Sequence, residues 1–304
     1  MPLLVCIVGP TAIGKTRMGI QLAQAFQTEI LSADSRQFFK EMTLGTAVPS
    51  EEELTAVKHH FIQNKSILES YSVGDFERDA LALLKKLFQK HDIVVMVGGS
   101  GLYVDAVVKG LDEFPEVASE VREQLNETLK KEGLAPLQKE LSEVDPKYFQ
   151  KVDIQNPQRV IRALEVYRSS GKPFSSFRKA KKNHRFFDTL YIGLEAERAV
   201  VYDRINVRVD KMMSEGLLDE AKGLLAHKSV NALQTVGYRE LFAYLEGRCS
   251  LEEAVEEIKK NTRRFSKRQG TWFRKNPEIR WFHYTAPVSE IKTYIQKTLT
   301  QPSG

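Results

Sequence analysis

Cysteine is nearly absent from this chain of 304 residues: Cys6 and Cys249 are its two. They form no CxxC pair and no Cys/His cluster, which argues against a zinc site and against a disulfide framework, and the usage fits a reducing compartment. Cys6 lies in the apolar run Leu3–Val8 and reads as a small core residue. That run is too short for a secretory signal and lacks its small-residue cleavage site. No apolar stretch approaches the ~20 residues that span a bilayer. Internal repeats, low-complexity tracts and an NKxD base-specificity motif are also lacking. The expectation is a cytoplasmic protein with no membrane association. An excess of one charge is lacking too: 45 Lys and Arg face 40 Asp and Glu, a net charge of +5. So small a surplus decides nothing by itself, and its distribution along the chain matters more.

What is present begins with alternation. Leu3–Val8 reads as a buried strand and Gly9–Thr16 as a glycine-bearing loop. Lys15–Phe26 reads as a helix, Glu29–Ala33 as a strand ending at Asp34, Asp75–Lys90 as an amphipathic helix, and Ile93–Val97 as a strand followed by Gly98-Gly99-Ser100-Gly101. Strand, helix, strand, helix, strand is the order of a parallel sheet covered by helices. Near Gly110 the pattern changes. From Glu116 to about Ser170 only helical periodicity is seen, and 171–185 is loop-like and basic. Phe186–Leu194 returns to strand character, and long helices are expected over Val201–Leu225 and Leu251–Phe273. The fold class expected is α/β, with a core of residues 1–110 and 186–304 interrupted by an all-helical insertion, 111–185.

Gly9-Pro10-Thr11-Ala12-Ile13-Gly14-Lys15-Thr16 matches G-x-x-x-x-G-K-[ST] between a strand and a helix, the context the phosphate-loop motif requires. Backbone N–H groups of such a loop curl around an anion, and the helix N-terminus adds positive potential. Lys15 supplies a mobile cation and Thr16 a hydroxyl for a magnesium ion. The motif alone means a diphosphate or triphosphate, including ATP. A nucleotide-hydrolysing enzyme would carry an acidic residue at the end of a later strand. Here that strand runs into Gly98-Gly99-Ser100, and Asp92 stands at its other end. Asp34, past the end of the second strand, faces the crevice where ligands of open α/β sheets bind. This pattern favours group transfer over nucleotide hydrolysis. Asp34 reads equally as a general base or as a carboxylate that sits near the metal or caps a helix.

Further blocks stand in fixed order after the loop. They are Asp34-Ser35-Arg36-Gln37 with Gly45-Thr46-Ala47, Gly98-Gly99-Ser100-Gly101-Leu102-Tyr103, Asn156-Pro157-Gln158-Arg159 with Arg162-Ala163-Leu164-Glu165, Val236-Gly237-Tyr238-Arg239-Glu240, and Lys267-Arg268-Gln269 with Thr271-Trp272-Phe273-Arg274. Together they resemble the tRNA dimethylallyltransferase family over nearly the whole chain. Departures are Phe39 for a usual Tyr, Thr43-Leu44 for DI, and Val48 for a usual Lys.

The resemblance implies transfer of a dimethylallyl group from dimethylallyl diphosphate to the exocyclic amine of the adenosine 3′ to the anticodon, with diphosphate released. It implies a flipped base, Mg2+ as cofactor, and the tRNA anticodon stem-loop as partner of a chain expected to be monomeric. Gly9 to Thr16 would hold the donor. Asp34 would act as base, Ser100 would reach the leaving oxygen and Arg208 would clamp the diphosphate. A turn hydroxyl and a solvated helix charge are the bland alternatives for the last two. The tRNA contacts implied are Asp34, Ser35, Arg36, Gln37, Ser100, Arg122, Gln158, Arg159, Arg162, Gly237, Tyr238, Arg239, Lys267, Arg268 and Arg274. The helical insertion is expected to bind tRNA.

Two runs rich in Lys and Arg lack any acid: Lys172–Arg185, with Arg178, Lys179, Lys181 and Lys182, and Lys259–Lys275, with Phe265, Trp272 and Phe273 interleaved. Such runs bind phosphate backbones or are solvated helix faces. Trp272 and Phe273 are expected in the core. The rival readings are a small-molecule or nucleotide kinase, which leaves the basic runs and later blocks unexplained, and a non-catalytic nucleotide switch that binds RNA.

Overall fold

The computed structural model of the chain describes residues 1–178 and 184–300. The order is β1 (Leu3–Val8), α1 (Lys15–Ala25), β2 (Ile30–Ser32), α2 (Glu51–Ala56), β3 (His59–His60), α3 (Val73–Leu87), β4 (Ile93–Val97) and α4 (Gly101–Lys109). A helical run follows: α5 (Ser119–Glu132), α6 (Ala135–Val144), α7 (Pro146–Phe149), α8 (Pro157–Ser170) and α9 (Phe174–Phe177). The chain then returns through β5 (Asp188–Glu195), α10 (Arg198–Ser214), α11 (Leu217–Leu224), α12 (Tyr238–Leu245), α13 (Leu251–Phe273), β6 (Arg280–His283) and α14 (Val288–Thr300).

The chain divides into two compact units, one of 1–109 with 184–304 and the other of 110–183. The first is α/β: among the described residues, six parallel strands run in the order β3-β2-β4-β1-β5-β6. Every residue of β1 is buried, as is expected of a central parallel strand covered on both faces. Each such Leu, Val or Ile contributes roughly 1.5–3 kcal/mol of burial. Leu3 pairs with Ile93 on one side and Asp188 on the other, so the parallel strands β1, β4 and β5 start level and all point to the same edge. Their following loops therefore meet at one edge of the sheet. β2 and β5 flank β4 and β1 on opposite sides, so the chain reverses direction there, the place where open α/β sheets bind ligands.

One helix expectation is corrected. Val201–Leu225 is two helices, α10 and α11, parted at Gly216, whose φ of 104° no helix tolerates. The edge strands β3 and β6 carry too few apolar residues to stand out in the sequence.

The second unit has its own core of Leu125, Leu137, Leu141, Val160, Ile161 and Leu164. Asn156 caps α8, its Oδ1 accepting from the N–H of Gln158 (3.1 Å) and Arg159 (3.3 Å), and Pro157 opens the helix. Buried Glu165 is held by Arg162 Nη1 at 2.5 Å and Arg122 Nη1 at 3.3 Å, and Gln158 Oε1 accepts from Arg122. Both arginines stay about half exposed, so donors remain free for another partner. Arg159 is exposed one turn before Arg162.

Candidate active site

Three loops at the ends of β1, β2 and β4 build the site. The first, Gly9–Thr16, leads into α1 through Gly14, whose φ of 107° suits glycine. Ala12 is left-handed as well, at φ 63°, a cost of about 1–3 kcal/mol for a non-glycine residue. Its carbonyl accepts from Arg204 Nε at 2.7 Å, which holds the turn. The side chains of Ala12 and Ile13 are buried in the core, so those two residues offer a ligand only backbone. Lys15 folds back over the loop, Nζ donating to the Pro10 carbonyl at 2.7 Å.

The second loop presents Asp34. Its Oδ1 accepts from the N–H of Arg36 (2.9 Å) and of Gln37 (3.4 Å), and no bond to Oδ2 is seen among the described residues. Burial pushes the Asp34 carboxyl up from its ordinary value, against the pull of these N–H groups and of Lys15 and Arg36. Gln37 is a brace: it accepts from Ser32 Oγ at 2.9 Å and donates to the carbonyls of Thr46 (3.2 Å) and Ala47 (2.9 Å). The third loop places Ser100, whose Oγ accepts the Ser35 N–H at 3.1 Å and lies 3.3 Å from Ser35 Oγ. Ser100 is thereby tied to the residue next to Asp34.

Arg208, from α10, reaches Thr11 Oγ1 at 3.4 Å. It is recessed beside the loop, which disfavours a solvated helix charge. Burial and neighbouring Arg208 push the Lys15 ammonium down to about 7, with Asp34 opposing. The loops open on one cavity of about 310 Å3 lined by Thr11, Lys15, Thr16, Asp34, Ser100 and Arg208, with an apolar wall that includes Val209, Met212, Leu217, Val236, Ile258 and Phe265. An anion fits the cationic end and a small hydrocarbon fits the wall.

Comparisons with known proteins show which family the chain resembles. The IPP transferase family model matches residues 37–276. A tRNA dimethylallyltransferase of Flavobacterium johnsoniae is 57% identical, covering 98% of this chain and 99% of its own. The chain belongs to the tRNA dimethylallyltransferase family. A relative of that name from Christiangramia forsetii is 56% identical over 97% of this chain and 98% of its own. Among solved structures, a tRNA isopentenylpyrophosphate transferase from Bacillus halodurans is 38% identical with a TM-score of 0.73, covering 98% of this chain and 97% of that one. A eukaryotic dimethylallyltransferase solved acting on tRNA has a TM-score of 0.80 at 25% identity, covering 98% of this chain and 78% of that one.

Within this member of the family, one expected RNA contact is buried, and part of each basic run is already paired. Tyr238 is fully buried, and its hydroxyl donates to Glu220 Oε1 at 2.6 Å. Glu220 also accepts the N–H groups of Thr43 (3.0 Å), Leu44 (2.8 Å) and Gly45 (2.9 Å). Tyr238 is thus a strut under the 43–45 loop rather than a tRNA contact. Gly237 lines the cavity, and Arg239 is exposed. On α13, Lys267 and Arg268 are exposed, as is Arg274 just past its end, whereas Lys259 pairs with Asp210 and Glu256, and Lys260 with Glu257. The acids missing from the local sequence thus come from α10 and from the preceding helical turn. Arg185 is also spoken for, buried against Glu77 and the Ala106 carbonyl at 2.6 Å each. Lys179, Lys181 and Lys182 lie outside the described residues. Phe273 is core, but Trp272 is 42% exposed, its indole N–H donating to Asp105 at 3.0 Å.

Sequence reasoning missed Arg204, Glu220 and Gln269 as site-builders. Gln269 stands inside the KRQ block, the signal that could have singled it out.

Proposed function

We infer that this protein transfers a dimethylallyl group from dimethylallyl diphosphate to the exocyclic N6 amine of the adenosine 3′ to the anticodon in tRNA. The observation that carries the reading is the meeting of Lys15 and Arg208 with Asp34 on one cavity that also has an apolar wall. The cations take the diphosphate and the wall takes the prenyl group. The breaking bond is the allylic C–O bond, and its electron pair leaves on the diphosphate. Lys15, Arg208 and the N–H groups of Gly14, Lys15 and Thr16 stabilise that growing charge. The forming bond joins the amine nitrogen to the allylic carbon, and the amine proton passes to Asp34, whose raised pKa suits a general base. The Ser100 hydroxyl, tied to Ser35 and lining the same cavity, would reach the leaving oxygen.

A magnesium ion fits the donor set in one way. Among the described residues no cluster of three or more His, Cys, Asp or Glu could cage a metal. The Thr16 hydroxyl lines the cavity, and Mg2+ commonly takes most of its ligands from substrate phosphates and water. Thr16 would therefore hold the ion, which would neutralise leaving-group charge when bound.

The tRNA is held by Ser35–Gln37, by Lys267 and Arg268 of α13 and Arg274 just past it, by Gly237 and Arg239, and by Arg122, Gln158, Arg159 and Arg162 of the helical unit. No helix among the described residues is long and apolar enough to cross a membrane. A tRNA substrate fits a cytoplasmic enzyme. The test is incubation with bulk tRNA and labelled dimethylallyl diphosphate, with ATP in a parallel reaction. Label in tRNA from the prenyl donor supports the reading. Phosphate transfer from ATP, with no prenyl transfer, overturns it in favour of a kinase.

A further inference from the structure

Gln269 joins two loops that belong to different halves of the reaction. Its side chain is 7% exposed on the inner face of α13. The amide Oε1 accepts the Thr11 N–H at 2.7 Å, and Nε2 donates to the Gly99 carbonyl at 2.9 Å. This orientation of the amide is the one that satisfies both backbone groups, since the first needs an acceptor and the second a donor. The fit is close. A Cβ on Gly99 would stand 2.4 Å from Gln269 Nε2 and 3.5 Å from Lys15 Nζ, so the amide and the ammonium both pack on bare backbone.

Each end of the bridge continues into a reacting group. Thr11, held by its N–H, turns its hydroxyl to Arg208 at 3.4 Å. Gly99, held by its carbonyl, precedes Ser100, which binds Ser35 beside Asp34. The diphosphate-holding loop and the Asp34–Ser100 pair are thus connected through one planar amide.

We propose that Gln269 is a positioning residue that sets the separation between the diphosphate-holding loop and the Asp34–Ser100 pair, without itself contributing to the affinity for either substrate. This rests on the transfer reaction inferred above. Both partners of the amide are backbone groups, so it orients the loops that hold the reacting groups. Alignment of this kind governs turnover steeply, a misplacement of about 1 Å costing on the order of 10²-fold.

The experiment compares wild type with Gln269→Met and Gln269→Glu, using labelled dimethylallyl diphosphate and an anticodon stem-loop RNA. Methionine keeps the length and removes both hydrogen bonds. For folded Q269M, turnover at saturation is expected to fall about 10–100-fold, with donor and RNA dissociation constants within about threefold of wild type. In Q269E the protonated carboxyl would offer one acceptor and one donor in the arrangement of the amide, whereas the ionised carboxylate would set an acceptor against the Gly99 carbonyl. The ratio of Q269E to wild-type turnover, taken at each pH, is therefore expected to rise as pH falls.

Unchanged saturated turnover in Q269M overturns the proposal. So does a loss confined to substrate affinity, or a Q269E ratio that is flat with pH. If Q269M does not fold, Gly99→Ala displaces the amide from the other side and is expected to lower turnover in the same way. Wild-type transfer is measured first. Its absence overturns the functional reading itself, whereas an active wild type with an equally active Q269M overturns only the positioning role.

Discussion

The two units treat buried charge in opposite ways. In the helical unit, Glu165 is 1% exposed and has two fixed arginine partners, so its charge is satisfied by the fold alone. In the α/β unit, Lys15 is pushed down to about 7, and Asp34 is pushed up, because burial outweighs what their neighbours return. Lys15 leans on a carbonyl and Asp34 on two N–H groups, with no direct ion pair between them. A carboxylate that is fully paired serves structure. Groups left under-compensated at the mouth of a cavity have their missing partners supplied by substrate.

That contrast is broken or sharpened most strongly at Asp34. Asp34→Asn keeps the size and loses the basic oxygen, and general-base catalysis contributes ~10²–10⁴. Saturated turnover should fall by that factor, with donor and tRNA affinities changed far less. A raised magnesium requirement with near-normal turnover would instead make Asp34 a residue of the metal's surroundings.

Next comes Lys15→Met, which removes a charge-assisted hydrogen bond to the diphosphate of ~1.5–3 kcal/mol. Donor affinity should drop roughly 10–100-fold, measured by calorimetry, while the fold persists. The wild type should also show a pH signature. Diphosphate raises the ammonium pKa above its free value of about 7, so the affinity Lys15 contributes is fully present below pH 7 and declines as pH rises towards the bound value. The slope is at most about tenfold per pH unit, and in Lys15→Met this component should vanish.

Glu165→Gln tests the structural side. It replaces one charged acceptor of two arginines with a weaker neutral one, and the expected cost is about 1–3 kcal/mol of stability. Thermal unfolding reads that loss, and diphosphate affinity should not move. A large fall in donor affinity would mean that Glu165 is not merely structural.

The smallest effect is expected on the exposed face of α13. Neutralising Lys267 and Arg268 should flatten the plot of log tRNA affinity against log salt by roughly 0.7–0.9 for each RNA phosphate that is no longer neutralised. An unchanged slope would return both to ordinary solvated charges. Lys259 and Lys260, already paired with acids, should give little change in the same measurement.

Much of the fold was legible beforehand, for identifiable reasons. Leu3–Val8 and Ile93–Val97 are continuous apolar runs because both faces of a central parallel strand are covered. Leu251–Phe273 was legible because Ser250 and Glu253 cap it and its apolar period is sustained. The strands His59–His60 and Arg280–His283 were not, since edge strands this short and polar carry no period. The break at Gly216 was missed because periodicity runs on across a single glycine. At the site, Lys15 and Asp34 were named from motif and strand order, and Ser100 from the family resemblance. Tyr238 was misplaced because a motif tyrosine reads the same whether its hydroxyl meets RNA or a buried Glu220. Trp272 was misplaced because aromatic residues near a helix end are usually core, and here the ring is partly exposed, with its N–H bonded to Asp105.

The sequence by itself determined the strand–loop–helix order, the phosphate-loop motif, and the presence of basic runs without local acids, since all of these are short-range patterns of residue type. Tertiary structure alone decided which charges remain available. Lys259 and Arg185 are neutralised by Asp210 and Glu77, residues far away along the chain. It alone decided that Gln269, 258 positions from Thr11, closes the gap between two loops. The physical reason is the same in each case. Charge compensation and hydrogen bonding depend on distances of about 3 Å, and between segments far apart in sequence only the packed fold sets such distances.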